Sequence, residues 1–218
     1  MIKPVQDARN IASIADPTLQ ELASLGIVRS YRRGTTVINE GDIGDTVYVI
    51  LAGKVKVFVS DDDLREMILG IRGAGEYVGE LSISGGVRSA SVICLEDCTF
   101  SIVTRKTLSD FIRVNPDFAM NMISSLISRV RLATDLVKDL ALRDVYERVA
   151  RLLMQLAVEQ ADGRLVVSER LSQAEIAKRV GASRDMVNRI FRELSMGNYI
   201  KLENGAIILL HKKLPMCF

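Results

Sequence analysis

One histidine, no tryptophan, three cysteines and four prolines are all that 218 residues hold of these types, and each scarcity removes some chemistry. A Ser-His-Asp triad, a histidine-rich zinc site or a histidine-ligated haem would each have to use His211. That residue sits beside Lys212-Lys213 and reads as a surface residue. Cys94 and Cys98 are not spaced as CxxC and Cys217 stands alone, so neither a disulfide framework nor a four-thiolate metal site can be assembled. They read as packing thiols. No apolar run approaches the ~20 residues that a membrane span needs. The start MIKPVQDARN has no basic stretch followed by an apolar block, so the expected compartment is the cytoplasm, with no membrane partner. No P-loop and no metal-ligand spacing is present, and the expectation is that the chain is not an enzyme and carries no metal.

What the chain does have is ample apolar content, 48%, and a charge of +2 that is unevenly spread. Residues 141 to 218 carry 13 Lys+Arg against 9 Asp+Glu, net +4, whereas residues 1 to 140 are net −2. The basic end suits a polyanion partner.

The pattern changes along the chain. Asp16 followed by Pro17, with Leu19, Leu22 and Leu25 at helical spacing, predicts a short helix. From Tyr31 to Val103 short β-type runs, among them TVYVIL, KVKVFV and SASVICL, alternate with glycine corners and predict a small barrel or jelly roll. Pro116 then interrupts a helical pattern, and Asp117 to about Leu142 contains neither Gly nor Pro. This is a long helix. Ile123, Leu126, Val130, Ala133, Val137 and Leu140 repeat along it at spacings of three and four, a seam for a homodimer or a face packed on its own domain. The expected division is 1–116, 117–142 and 143–218.

The last segment predicts a two-helix corner. In LSQAEIAKRV, Ser172 and Glu175 form a capping box. Gly181-Ala182 is too short for anything but a sharp turn, and SRDMVNRIFRELSM follows as a second helix. Asn204-Gly205 between two apolar runs predicts a hairpin, so the whole reads as a winged helix-turn-helix. With Ile176, Val180, Val187, Ile190 and Leu194 inward, Ser183, Arg184, Asp185, Asn188, Arg189 and Arg192 are left outside. Arginine can pair with guanine O6 and N7, aspartate can accept from cytosine N4, and a serine at a helix N-terminus suits a phosphate oxygen. Ser172, Gln173, Ser183, Arg184, Asp185, Asn188 and Arg189 are the expected contacts to double-stranded DNA. A merely solvated helix face is the alternative.

GELSISGGVRSASV, residues 79 to 92, holds a second signal. Backbone amides around Gly85-Gly86 with Arg88 beside them would cradle one phosphate, and Glu80 could accept from a sugar hydroxyl. The same glycines could simply turn the chain.

These segments together resemble the CRP/FNR family of bacterial transcription regulators, in particular its cyclic-AMP-responsive branch. The resemblance covers nearly the whole chain, including RRGTTVINEGDIGDTVYVILAGKVKV. It implies an α+β fold with an N-terminal cyclic-nucleotide-binding β-roll, a long dimerisation helix and a C-terminal winged helix-turn-helix. It further implies that Gly79, Glu80 and Leu81 line the nucleotide, that Glu80 meets the ribose 2′-hydroxyl, and that Arg88 and Ser89 hold the cyclic phosphate. Arg184, Asp185 and Arg189 would read bases of a palindromic operator, with RNA polymerase as a further partner. There are departures. Only six residues separate Gly-Glu-Leu from Arg-Ser-Ala, fewer than in that branch, and Ala133-Thr134 stands where it has Thr-Ser, leaving Thr134 as the hydroxyl for the base. Asp185 replaces a Glu. The cysteine set of the iron-sulfur oxygen sensors and a β-roll histidine for haem are both missing, which leaves cAMP as the leading effector, ahead of cyclic di-GMP or no ligand. A cyclic-nucleotide module of a kinase or channel would share the β-roll but has no use for the corner and wing.

Overall fold

The computed structural model describes residues 11–63, 65–81, 85–203 and 205–215. Two compact units emerge, Met1–Asp63 with Ile68–Arg129, and Leu64–Met67 with Val130–Phe218.

In the first unit, helix α1 (Pro17–Ser24) begins as the sequence implies, with the Asp16 carboxylate accepting from the amides of Thr18 at 2.9 Å and Leu19 at 3.3 Å. Eight strands follow: β1 (Ile27–Tyr31), β2 (Thr36–Ile38), β3 (Thr46–Ala52), β4 (Lys54–Ser60), β5 (Glu66–Gly73), β6 (Tyr77–Val78), β7 (Ser91–Cys94) and β8 (Cys98–Thr104). They form two four-stranded sheets, ordered β1-β8-β3-β6 and β2-β7-β4-β5. Between them Ile38, Ile50, Val55, Val92 and Phe100 make one core. The other face of the first sheet presents Val47, Val49, Leu51 and Val103 to α1 and to two later helices, α2 (Arg105–Val114) and α3 (Pro116–Leu142), whose Leu108, Phe111, Phe118 and Met122 close a second core. Strand β3 is therefore apolar on both sides. This is the expected β-roll. Inside it, the wholly buried Ser101 on β8 donates its hydroxyl to the Ala23 carbonyl of α1 at 2.6 Å.

Helix α3 carries the expected apolar seam with one change. Leu126 turns toward its own domain and packs on the second core, so the exposed stripe runs through Ile123, Ile127, Val130 and Val137. Leu126 continues the i, i+4 row of Phe118 and Met122 that the second core buries, which leaves Ile127 rather than Leu126 on the exposed stripe.

In the second unit, Asp144 caps α4 (Val145–Leu156) by accepting from the Glu147 amide at 2.8 Å. Short strands β9 (Ala157–Glu159) and β10 (Leu165–Val167) precede the corner, α5 (Gln173–Val180) and α6 (Arg184–Met196), and the wing strands β11 (Ile200–Glu203) and β12 (Ala206–Leu209) close the sheet β11-β12-β10-β9. The corner turns on Gly181, whose φ of 64° is left-handed and costs least in glycine. The hairpin turn falls on Asn204, outside the described residues, and on Gly205 with φ +78°. All five residues expected to face inward, Ile176, Val180, Val187, Ile190 and Leu194, are buried in a core shared with Val149, Leu153 and Ile207. Helix α6 ends with Gly197 as its C-cap. Gly197 has an ordinary φ of −76°, and it is Asn198, at φ 56°, that turns left-handed. Gly197 is required for space, because a Cβ there would stand 2.7 Å from the Tyr199 ring. Among the described residues, no helix is long and apolar enough to cross a membrane.

Candidate functional site

The cassette residues lie where β6 leaves the sheet. Gly79 takes a left-handed φ of +85°, and Glu80 behind it is buried, 7% exposed, while Leu81 and Ser89 face solvent. A buried carboxylate needs a partner. Glu80 finds it 49 residues away, in Arg129 of α3, whose Nη1 donates to Glu80 Oε1 at 2.6 Å. The same guanidinium donates to the Tyr77 carbonyl at 3.0 Å and lies 5.2 Å from the centre of the Tyr77 ring. Glu80 Oε2 is buried and has no hydrogen-bond partner, an acceptor left open inside the cassette. Arg129 carries no local motif in the sequence, and only its tertiary pairing marks it.

Arg88 is also buried, 6% exposed. Its Nη1 donates to the Gly79 carbonyl at 2.8 Å and its Nη2 to Thr46 Oγ1 at 3.0 Å. The segment that carries it, ahead of β7, is fastened to the loop before β3: Gly41 N donates to Arg88 O at 2.9 Å, Arg88 N to Asp42 O at 2.8 Å, and Ile43 bridges to Val87. The cation is thus built into the wall of the cassette. Gly85 and Gly86 have φ of +94° and +112°, with the Arg105 guanidinium 3.9 Å from where a Gly85 Cβ would stand. Residues 82–84 of the same loop lie outside the described residues. The Thr134 hydroxyl is exposed and donates to the Val130 carbonyl at 2.9 Å, as helix serines and threonines do.

Burial raises both described cysteines. Cys94 is pushed up to about 12, chiefly by desolvation and then by the neighbouring Cys98, and Cys98 is raised for the same first reason. Both belong to the core between the sheets, as packing thiols should. Cys217 lies outside the described residues.

At the corner, Ser172 and Glu175 form the full capping box. Ser172 N donates to Glu175 Oε2 at 2.8 Å, and Glu175 N to Ser172 Oγ at 3.2 Å. The bond from the Ser172 amide holds the Glu175 carboxyl below the usual carboxylate range. Ser183 caps α6 by accepting from Met186 N at 3.2 Å. Arg184, Asp185, Arg189 and Arg192 are exposed along one face, and Gln173 is half-buried at the start of α5. Asn188 lies on the same arc of the helix but is half-buried, with its Oδ1 sealed and without a hydrogen-bond partner. A cleft of about 350 Å³ between α5, α6 and the wing is lined by Leu171, Phe191, Leu202 and Ile207, with Arg184 among its other walls.

Residues 28–115 match the cyclic nucleotide-binding domain family, and residues 147–214 match the Crp-like helix-turn-helix domain family. The chain is 32% identical over 200 residues to the cAMP-activated global transcriptional regulator CRP of Salmonella typhimurium, covering 88% of this chain and 94% of that protein. It is 36% identical over 183 residues to the CRP-like cAMP-activated global transcriptional regulator of Mycobacterium tuberculosis, covering 82% of each. Among solved structures, the c-di-GMP responsive global regulator CLP of Xanthomonas campestris superposes with a TM-score of 0.77 at 25% identity, covering 89% of this chain and 98% of that one. Two packed sheets with a buried Glu80 and Arg88 beside them, a long helix and a capped two-helix corner with a wing agree with both matches, and the chain belongs to the CRP/FNR family of transcription regulators.

Proposed function

We propose that this chain is a cytoplasmic homodimeric regulator that binds a palindromic operator and is controlled by cAMP. The observation that carries the nucleotide reading is the buried Glu80, held on one oxygen by Arg129 and open on the other. An open acceptor beside a buried arginine suits a sugar hydroxyl next to a phosphate. Gly79, Glu80 and Leu81 line the nucleotide, Arg88 and Ser89 take its phosphate, and Thr134 offers its oxygen to the base. Names of relatives support cAMP: those of Salmonella typhimurium and Mycobacterium tuberculosis are both cAMP-activated. Cyclic di-GMP is the second reading, favoured by the c-di-GMP responsive neighbour from Xanthomonas campestris. The match to a Crp-like helix-turn-helix removes the case for a kinase or channel module.

The exposed stripe of α3 supports pairing with a second copy, since apolar side chains of this size, with Val130 65% and Val137 63% exposed, are the knobs of a two-helix seam. The division 1–116, 117–142 and 143–218 then assigns ligand, dimer and DNA to successive segments, with RNA polymerase as the partner of the DNA-bound form. Ser183 and the start of α6 meet phosphate, while Arg184, Asp185 and Arg189 reach bases. Ser172 and Gln173 meet the backbone at the start of α5, with Asn188 at the edge of this set.

A ligand controls DNA binding only if it favours the DNA-competent arrangement, and linkage makes the effect reciprocal. Calorimetric titration with cAMP, cyclic GMP and cyclic di-GMP, each with and without operator DNA, tests this. The expected result is cAMP binding, tightened by operator by the same factor as cAMP tightens operator binding. Tighter binding of cyclic di-GMP transfers the reading to that effector, and an operator affinity indifferent to all three leaves a constitutive DNA-binding dimer.

A further inference from the structure

Gly44 is a glycine that the backbone does not demand. Its φ lies outside the left-handed region, so any side chain could adopt its conformation. What excludes one is Arg88. A Cβ at Gly44 would stand 2.1 Å from Arg88 Nε, 2.4 Å from Cζ and 2.5 Å from Nη2, so the guanidinium occupies the space that a side chain there would need. Two residues on, Thr46 Oγ1 accepts from Nη2 at 3.0 Å, and the opposite nitrogen is taken by the Gly79 carbonyl at 2.8 Å. The loop that carries Gly44 is itself tied to the backbone of Arg88 by the bonds of Gly41 and Asp42.

We infer that Gly44 and Thr46 are positioning residues for Arg88, which hold its guanidinium in one place and orientation before an anionic ligand arrives. The inference rests on the reading of Arg88 as the phosphate partner and assigns the two residues that make it effective. A free arginine must give up rotamer freedom when it engages a phosphate, and here that freedom is given up on folding. The guanidinium needs both room beside the backbone and an acceptor for Nη2, which Gly44 and Thr46 supply. Neither residue touches the ligand in this arrangement.

The test uses the full-length protein, with cAMP and cyclic di-GMP as probes and the ¹⁵Nε–H resonance of Arg88 as a readout that needs no ligand. Wild type should show this resonance shifted from the free-arginine position and protected from exchange. Gly44→Ala should move it toward the free position and weaken ligand binding at least tenfold, with the unfolding midpoint little changed. Thr46→Val adds no atom to the crowded space and covers the case in which Gly44→Ala fails to fold. It should weaken binding several-fold, and Thr46→Ser should restore it. In an Arg88→Lys background Gly44→Ala should have less than a twofold further effect. The inference is overturned if Gly44→Ala and Thr46→Val leave the Arg88 resonance and affinity unchanged, or if they weaken binding equally with Lys at position 88. Should wild type bind neither probe, the nucleotide reading fails, and the Arg88 resonance alone decides the positioning claim.

Discussion

Arg129 and Glu80 are joined at 2.6 Å across 49 residues, so the cassette and the long helix share one buried ion pair. The Glu80 side chain is 5% exposed and that of Arg129 22%. Removing one partner strands the other. Arg129→Leu should cost on the order of 3 kcal/mol in urea unfolding, and adding Glu80→Gln should recover part of it, because the stranded charge is then gone. A double variant no better than the single one would show that the pair is not what holds Glu80.

The dimer seam makes a separate prediction. Val130→Glu with Val137→Glu places like charges on the exposed stripe, and sedimentation should show monomers that no longer hold a palindromic site. A dimer that survives both changes would move the interface elsewhere.

At the DNA end the operator should be an inverted repeat with half-sites about one turn, roughly 34 Å, apart. Arg184→Ala should cost about 1–3 kcal/mol and relax discrimination at one guanine per half-site. Ser183 accepts the Met186 amide, so Ser183→Ala should also loosen the first turn of α6 and weaken binding to all sequences alike. Binding titrations over a library of half-site variants separate the two patterns.

The buried thiols predict a pH response. A Cys94 thiol pushed up to about 12 is protonated at neutral pH, so the native protein should react slowly with a thiol reagent at pH 8 and rapidly once unfolded. The folded pKa is raised, so this contribution to stability is fully present below the unfolded thiol value, about 8.5, and is lost as pH rises from there toward 12. Denaturant midpoints measured from pH 7 to 10 should fall in the upper half of that range, and less so in Cys94→Ala.

Features written in neighbouring residues were legible in the sequence. Asp16 before Pro17, the Ser172–Glu175 box and the Gly181 turn each depend on partners within five positions, and each is present. Features that depend on distant packing were not. Nothing near Arg129 signals Glu80, and Gly44 reads as one more loop glycine until Arg88 is seen lying over it. The shift of the seam from Leu126 to Ile127 comes from how the helix start is buried, and the half-burial of Asn188 is a matter of packing around the helix that spacing along it does not show. The room that Gly197 leaves for the Tyr199 ring likewise appears only in the packed structure.

The two-sided burial of β3 has a consequence for how its pairing is chosen. A one-residue slip in an ordinary half-buried strand drives polar side chains into the core, and that cost enforces the register. Strand β3 meets apolar layers on both sides, so a slip against β8 would exchange one apolar row for another at little cost. The discriminating group is then on the neighbour. Ser101 pairs with Val49 on β3 and with Val28 on β1, and its hydroxyl reaches the Ala23 carbonyl beside Gly26, where a Cβ would stand 2.1 Å from the Ser101 oxygen. A shift of β8 that turned this hydroxyl away from Ala23 would leave it in the core without that acceptor, a penalty of about 1–3 kcal/mol. The placement of β8, the strand to which both β1 and β3 are paired, is therefore checked by a helix that precedes all three in the chain.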